Sequence, residues 1–158
     1  MVLGIDPGLS GGLAIVAGEG DDLPRLLLVA DVPTYGIDAK RRVDAVATMQ
    51  LIRRFPPDFA VIERAQAFPE QGSSSGFNYG RAVGALETCI AGLLIPHQII
   101  ESRAWKKFHS LLKADKETSR QRALSLFPGA AGLDRKKDHN RSEAALMAAY
   151  GLKIAPRG

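Results

Sequence analysis

A single cysteine, Cys89, occurs in the 158 residues. One cysteine excludes an intrachain disulfide and a cysteine-built zinc site, and it points to a reducing, cytoplasmic setting. No apolar run approaches the ~20 residues of a membrane-spanning helix, so no membrane is expected among the partners. The opening residues Met1-Val2-Leu3-Gly4-Ile5-Asp6 lack a basic segment and place an acid at position 6, unlike a secretory leader. There is no internal repeat, low-complexity tract or linker. What is present is ordinary for a folded protein: 46% hydrophobic and 24% charged residues exclude global disorder. At about 150 residues per domain, residues 1–158 are read as one domain.

Charge is unevenly distributed. Residues 101–158 hold 13 Lys or Arg against 6 Asp or Glu, whereas residues 1–100 hold 8 against 11. The first imbalance suits a polyanion; the second leaves carboxylates for other work.

Leu3–Asp6 and Leu13–Ala17 read as strands joined by the Gly-rich turn Pro7-Gly8-Leu9-Ser10-Gly11-Gly12. Pro24–Val32 and Asp58–Arg64 read as further strands, the latter buried on both faces, and His97–Glu101 as a fifth. Helical spacing predicts helices over Asp38–Arg54, Phe77–Ile95, Ser102–Leu112, Lys116–Phe127 and Asn140–Leu152. Asn140 and Glu143 have the spacing of a capping box, and Phe77 and Tyr79 read as core residues at the start of their helix. The fold class is α/β: a five-stranded mixed sheet flanked by helices.

Asp6 and Glu63 each end an apolar strand. A carboxylate there is costly unless it is paired, hydrogen-bonded or bound to a cation. If the two strands are neighbours, both acids point to one place. A third segment, Asp138-His139-Asn140-Arg141-Ser142-Glu143, sets His139 and Glu143 one helical turn apart. Three distant segments thus offer the oxygen-rich set that Mg²⁺ or Mn²⁺ prefers. Each acid also has a plainer reading: Asp6 as a turn cap, Glu63 as a solvated strand end, Glu143 as half of the capping box.

Gly4-Ile5-Asp6-Pro7-Gly8, Val61-Ile62-Glu63 and Asp138-His139-Asn140-Arg141-Ser142-Glu143-Ala144, in this order, resemble the RuvC-type Holliday-junction resolvases of the ribonuclease H-like superfamily. Gln66-Ala67-Phe68-Pro69 and the Arg-x-Glu-Ala tail look closer to the bacterial, phage and chloroplast branch than to the housekeeping bacterial enzyme. The resemblance implies a ribonuclease H-like fold, a homodimer, and metal-dependent cutting of four-way DNA junctions by symmetric paired nicks. It implies metal-binding roles for Asp6, Glu63 and Glu143, with His139 or its neighbour Asp138 as fourth ligand, and places Lys106 and Lys116 near the scissile phosphate.

Phosphodiester hydrolysis needs charge stabilised on both the attacking water and the leaving oxygen, which two Mg²⁺ (or Mn²⁺) ions about 4 Å apart supply. Asp6, on the central strand, is the expected bridge; Glu63 and Glu143 complete one site each. Arg103, Lys107, Lys113, Arg135, Lys136, Lys137 and Arg141 would track DNA phosphates, along with Arg120 and Arg122. In the loop after Glu63, Gln66, Phe68 and Gln71 are candidate junction contacts; Phe68 either wedges between bases or packs beneath Pro69. Trp105 reads as a core anchor. The Gly-notched helix that begins near Phe77 is the candidate dimer surface, with core burial as its alternative. A nuclease for flaps or forks and a non-catalytic junction-binding module are the competing functions.

Overall fold

Short runs of β-branched and aliphatic residues bounded by glycine and proline form the strands of this chain, whose computed structural model describes residues 1–18, 23–66 and 72–156. The strands are β1 (Val2–Asp6), β2 (Gly12–Ala17), β3 (Arg25–Asp31), β4 (Thr34–Tyr35), β5 (Arg42–Val43), β6 (Phe59–Glu63) and β7 (His97–Ile100). The helices are α1 (Ala45–Ile52), α2 (Ser73–Gly92), α3 (Ser102–Phe108), α4 (Lys116–Leu126) and α5 (His139–Ile154). Five strands make the main sheet in the order β3-β2-β1-β6-β7. The hairpins β1–β2 and β2–β3 are antiparallel, and β6 and β7 add in parallel. The expected five-stranded mixed sheet is therefore present.

Both sheet faces are covered, and side-chain alternation sorts the core into two halves. Val2, Ala14, Val16, Phe59, Val61 and Ile100 pack beneath α5 together with Trp105 and Met147. Leu3, Ile5, Leu13, Ile15, Ala60 and Ile62 pack on the other face with Ile52 of α1 and Leu86 and Ile90 of α2.

Helix α5 lies directly on the backbone of β1 and β2. A Cβ at Gly4 would stand 2.2 Å from the Ala144 carbonyl oxygen, and one at Gly12 would stand 2.5 Å from that of Asn140. Only glycine permits such contact, and small residues on the facing side of α5, Ala144, Ala145 and Ala148, complete it.

Three local expectations are corrected. The helix expected over Asp38–Arg54 is reduced to α1. Its first part is a small hairpin, β4 paired with β5, turning through Gly36 at φ +79° and one 3₁₀ turn at Asp38–Lys40. Val43 is buried as a strand residue, and Asp44 caps α1 by accepting from the Ala47 amide at 2.9 Å. Helix α2 begins at Ser73, four residues before Phe77. The Asn140–Glu143 capping box does not form: α5 starts at His139 with Asp138 in the N-cap position, and the Asn140 side-chain amide donates instead to the Ser10 carbonyl.

Candidate active site

The pairing of β1 with β6 runs through Ile5 opposite Ile62, so Asp6 and Glu63 follow as the next neighbours at the ends of both strands. Strand alternation sends both in the same direction. Val2 and Gly4 face α5, as do Phe59 and Val61, and positions 6 and 63 continue those two rows. Glu143, in the second turn of α5, lies between Asn140 and Ala144, the two residues in closest contact with Gly12 and Gly4. The glycines of β1 and β2 thus lower Glu143 toward the sheet end that carries the other two acids.

The three carboxylates interact. Burial, then the charges of Glu143 and Glu63, push Asp6 well above the usual carboxylate value of 3.8, against the opposing pull of Lys116 and Lys106. Burial likewise raises Glu143; Lys106 opposes the rise and Glu63 adds to it. No hydrogen bond from the described residues contributes to either shift. Glu63 differs: it accepts from the indole N–H of the fully buried Trp105 at 2.6 Å. Trp105 is therefore both the expected core anchor and a holder of this carboxylate.

Lys106, from the last turn of α3, and Lys116, the first residue of α4, are brought into the field of the acids, as is His139, one turn before Glu143. His139 is half-buried, whereas Lys116 is exposed. Asp138 is not brought in. Its buried carboxylate accepts from the Arg135 backbone amide at 3.0 Å and from the Arg135 guanidinium at 2.7 Å, and Arg141 stands 3.7 Å away. These partners hold Asp138 below the usual carboxylate range.

The expected DNA-facing cations divide into two groups. Arg103, Lys107, Lys113, Lys136 and Lys137 are exposed. Arg141 instead forks onto Asp31 at 2.6 and 2.7 Å, joining α5 to the end of β3, and Arg135 is engaged with Asp138. Arg120 is buried, held by Glu117 and by the carbonyls of Leu133 and Asp134. These three guanidiniums are part of the framework. Gln66 is exposed; Phe68 and Gln71 lie outside the described residues.

One residue that sequence reasoning assigned to the core belongs here. Tyr79 lines the same open cleft of about 550 Å³ as Asp6, Gly8, Ser10, Asn78 and Asn140. Ser75, Asn78 and Tyr79 at helical spacing were the available signal: a polar stripe at the start of an otherwise apolar helix.

Among the described residues no three His, Cys, Asp or Glu side chains close into a metal cage. The donor set nonetheless fits a hard divalent cation. It is rich in carboxylate oxygens, and the mutual repulsion of Asp6, Glu63 and Glu143 is what a bound cation would relieve. Asp6, Glu63, Glu143 and His139 are the residues that could hold one.

The architecture matches known structures over nearly its whole length. Thermus thermophilus RuvC in complex with Holliday junction substrate covers 98% of this chain and 96% of its own, with a TM-score of 0.74 at 21% identity. The chain has the fold of RuvC. A second T. thermophilus RuvC structure gives a TM-score of 0.70 at 22% identity, covering 97% of this chain and 95% of its own. Fowlpox virus resolvase, solved with Holliday junction DNA, gives 0.57 at 10% identity, covering 98% of this chain and 99% of its own. No protein-family model and no curated protein matches the sequence. The RuvC fold accounts for the overall architecture.

Proposed function

We propose that this chain is a divalent-metal-dependent endonuclease that resolves four-way DNA junctions. The observation that carries the reading is the convergence of Asp6, Glu63 and Glu143 at one sheet end, flanked by Lys106 and Lys116, in a fold similar to junction-bound resolvases.

Each residue has a defined task. Asp6, on the central strand, would hold the cation together with Glu63 and Glu143, and His139 would complete the set from the first turn of α5. Bound Mg²⁺ would activate water and stabilise the leaving oxygen. Trp105 fixes the orientation of Glu63. Lys106 and Lys116 supply positive charge where the phosphodiester gains negative charge in the transition state. Asp138 serves the fold, holding Arg135 and Arg141. The exposed Arg103, Lys107, Lys113, Lys136 and Lys137 track the arms of the junction, which makes binding steeply salt-dependent.

A junction has approximate two-fold symmetry, and a C2 dimer presents two sites in that relation. Helix α2 supports this assembly. A Cβ added at Gly76, Gly80 or Gly84 would meet nothing within 4 Å, so one side of the helix is open to close approach by another backbone. Phe77, 65% exposed, lies on the same helix with the Arg81 guanidinium 5.5 Å from its ring centre. Both are groups that a second subunit would cover.

Incubation with a synthetic immobile four-way junction and Mg²⁺ tests the reading. Paired symmetric nicks with religatable 5′-phosphates are expected. Cutting confined to flaps or forks would replace it with the related nuclease function, and tight binding without cutting would make the chain a junction-binding module.

A further inference from the structure

We propose that Tyr79 is a substrate-positioning residue of this site, its hydroxyl donating a hydrogen bond to a non-bridging oxygen of the phosphodiester that enters the cleft beside Asp6. The inference rests on the nuclease reading and assigns the side of the cleft that the lysines do not reach.

Lys106 and Lys116 approach the acids from α3 and α4. The opposite wall is built by the β1–β2 turn and the first two turns of α2, and none of the described residues lining that cleft is a lysine or arginine. The Arg41 guanidinium reaches the turn but is engaged by the Leu9 carbonyl and by Ser10 Oγ at 2.9 Å, so neutral donors line the cleft itself. Tyr79 and Asn78 supply a hydroxyl and an amide, both half-buried, on the wall facing Asp6.

The ring lies beside the turn that follows Asp6. Gly8 has φ +136°, a conformation open to glycine, and a Cβ placed there would lie 3.6 Å from the Tyr79 ring. A methyl there would make only ordinary contact, so the ring stands about one methyl's width from the turn that leads out of Asp6. Burial, followed by the Asp6 and Glu63 charges, pushes the phenol above its usual range, so the hydroxyl keeps its proton and remains a donor. A non-bridging phosphodiester oxygen is an acceptor that such a donor can serve.

Tyr79→Phe keeps the ring beside Gly8 and removes only the hydroxyl. In single-turnover cleavage of a four-way junction with Mg²⁺, the rate should fall about 10- to 100-fold, the loss of one hydrogen bond to a charged group. Junction affinity measured in EDTA should change by less than about twofold, and Tm should not move. A phosphorothioate with sulfur in place of the contacted oxygen should slow the wild type more than Tyr79→Phe. Cleavage by Tyr79→Phe at the wild-type rate, or equal losses of rate and affinity, would overturn the proposal while leaving the nuclease reading intact. A wild-type protein that cuts no junction would remove both.

Discussion

The Trp105 indole N–H donates to Glu63 at 2.6 Å, so the chain's one tryptophan ties the core beneath α5 to the candidate site. Trp105→Phe preserves an aromatic ring and deletes this donor. Single-turnover cleavage should fall about tenfold, the ordinary effect of one charge-assisted hydrogen bond, with junction affinity in EDTA unchanged. The melting temperature should drop by a few degrees, because a smaller ring leaves a void in a tightly packed place. Undiminished cleavage would show that Glu63 keeps its orientation by other means.

The site depends on how closely α5 approaches the sheet. At Gly4 an added methyl would stand 2.2 Å from the Ala144 carbonyl oxygen, and backbone cannot yield cheaply. Gly4→Ala should therefore lower Tm sharply and lose cleavage, since it lifts the helix that carries Glu143. Gly72→Ala is the control for stability: it precedes α2, and nothing lies within 4 Å of the new methyl, so Tm should barely move. Gly80→Leu should instead convert dimer to monomer by light scattering if α2 is the shared surface. A dimer unaffected by leucine would place the interface elsewhere.

The strands and their terminal acids were legible because the signal is local. An apolar run ending in Asp6 or Glu63 states both the strand and the anomaly in one stretch. What was not legible depends on partners far along the chain. Arg141 reads as a free cation until Asp31, 110 residues away, is placed beside it. Spacing favoured His139 over Asp138, and what it could not show is the grip of Arg135 on Asp138. Tyr79 was read as core because α2 was expected to begin at Phe77, and the earlier start at Ser73 sets Tyr79 in the second turn, facing the β1–β2 turn. The 34–43 hairpin was hidden because Val43, Val46 and Met49 share helical spacing although Val43 belongs to a strand.

The contrast between the two neighbours gives a paired prediction. Asp138→Ala removes the buried carboxylate that holds the Arg135 backbone amide and guanidinium at the start of α5, so it should act mainly on Tm. His139→Ala should leave Tm almost unchanged and abolish most Mg²⁺-supported cleavage. The reverse pattern, a stable but inactive Asp138→Ala beside an active His139→Ala, would make Asp138 the cation ligand.

Asp6 contributes to the pH dependence of stability in a direction opposite to that of the ion-paired Asp31 and Asp138, whose carboxyls are held low. Its folded pKa is raised above 3.8, so between that value and the folded one the native state holds more protons than the unfolded state. Stability contributed by protonated Asp6 is complete below about pH 3.8 and is lost as pH rises through the folded value. Without metal at neutral pH, Asp6→Asn should therefore melt higher than the wild type. Added Mg²⁺ should raise the wild-type Tm and leave Asp6→Asn where it was. Equal Mg²⁺ shifts in both proteins would mean that the cation binds elsewhere.

A supercoiled plasmid bearing one extruded cruciform puts the central claim to a single test, because two symmetric nicks within one binding event give linear DNA whereas isolated nicks give open circles. With Mg²⁺, the wild type should yield linear product cut at the cruciform, and Asp6→Asn should bind the cruciform and yield none. Open circles alone, or cutting that ignores the cruciform, would contradict the account.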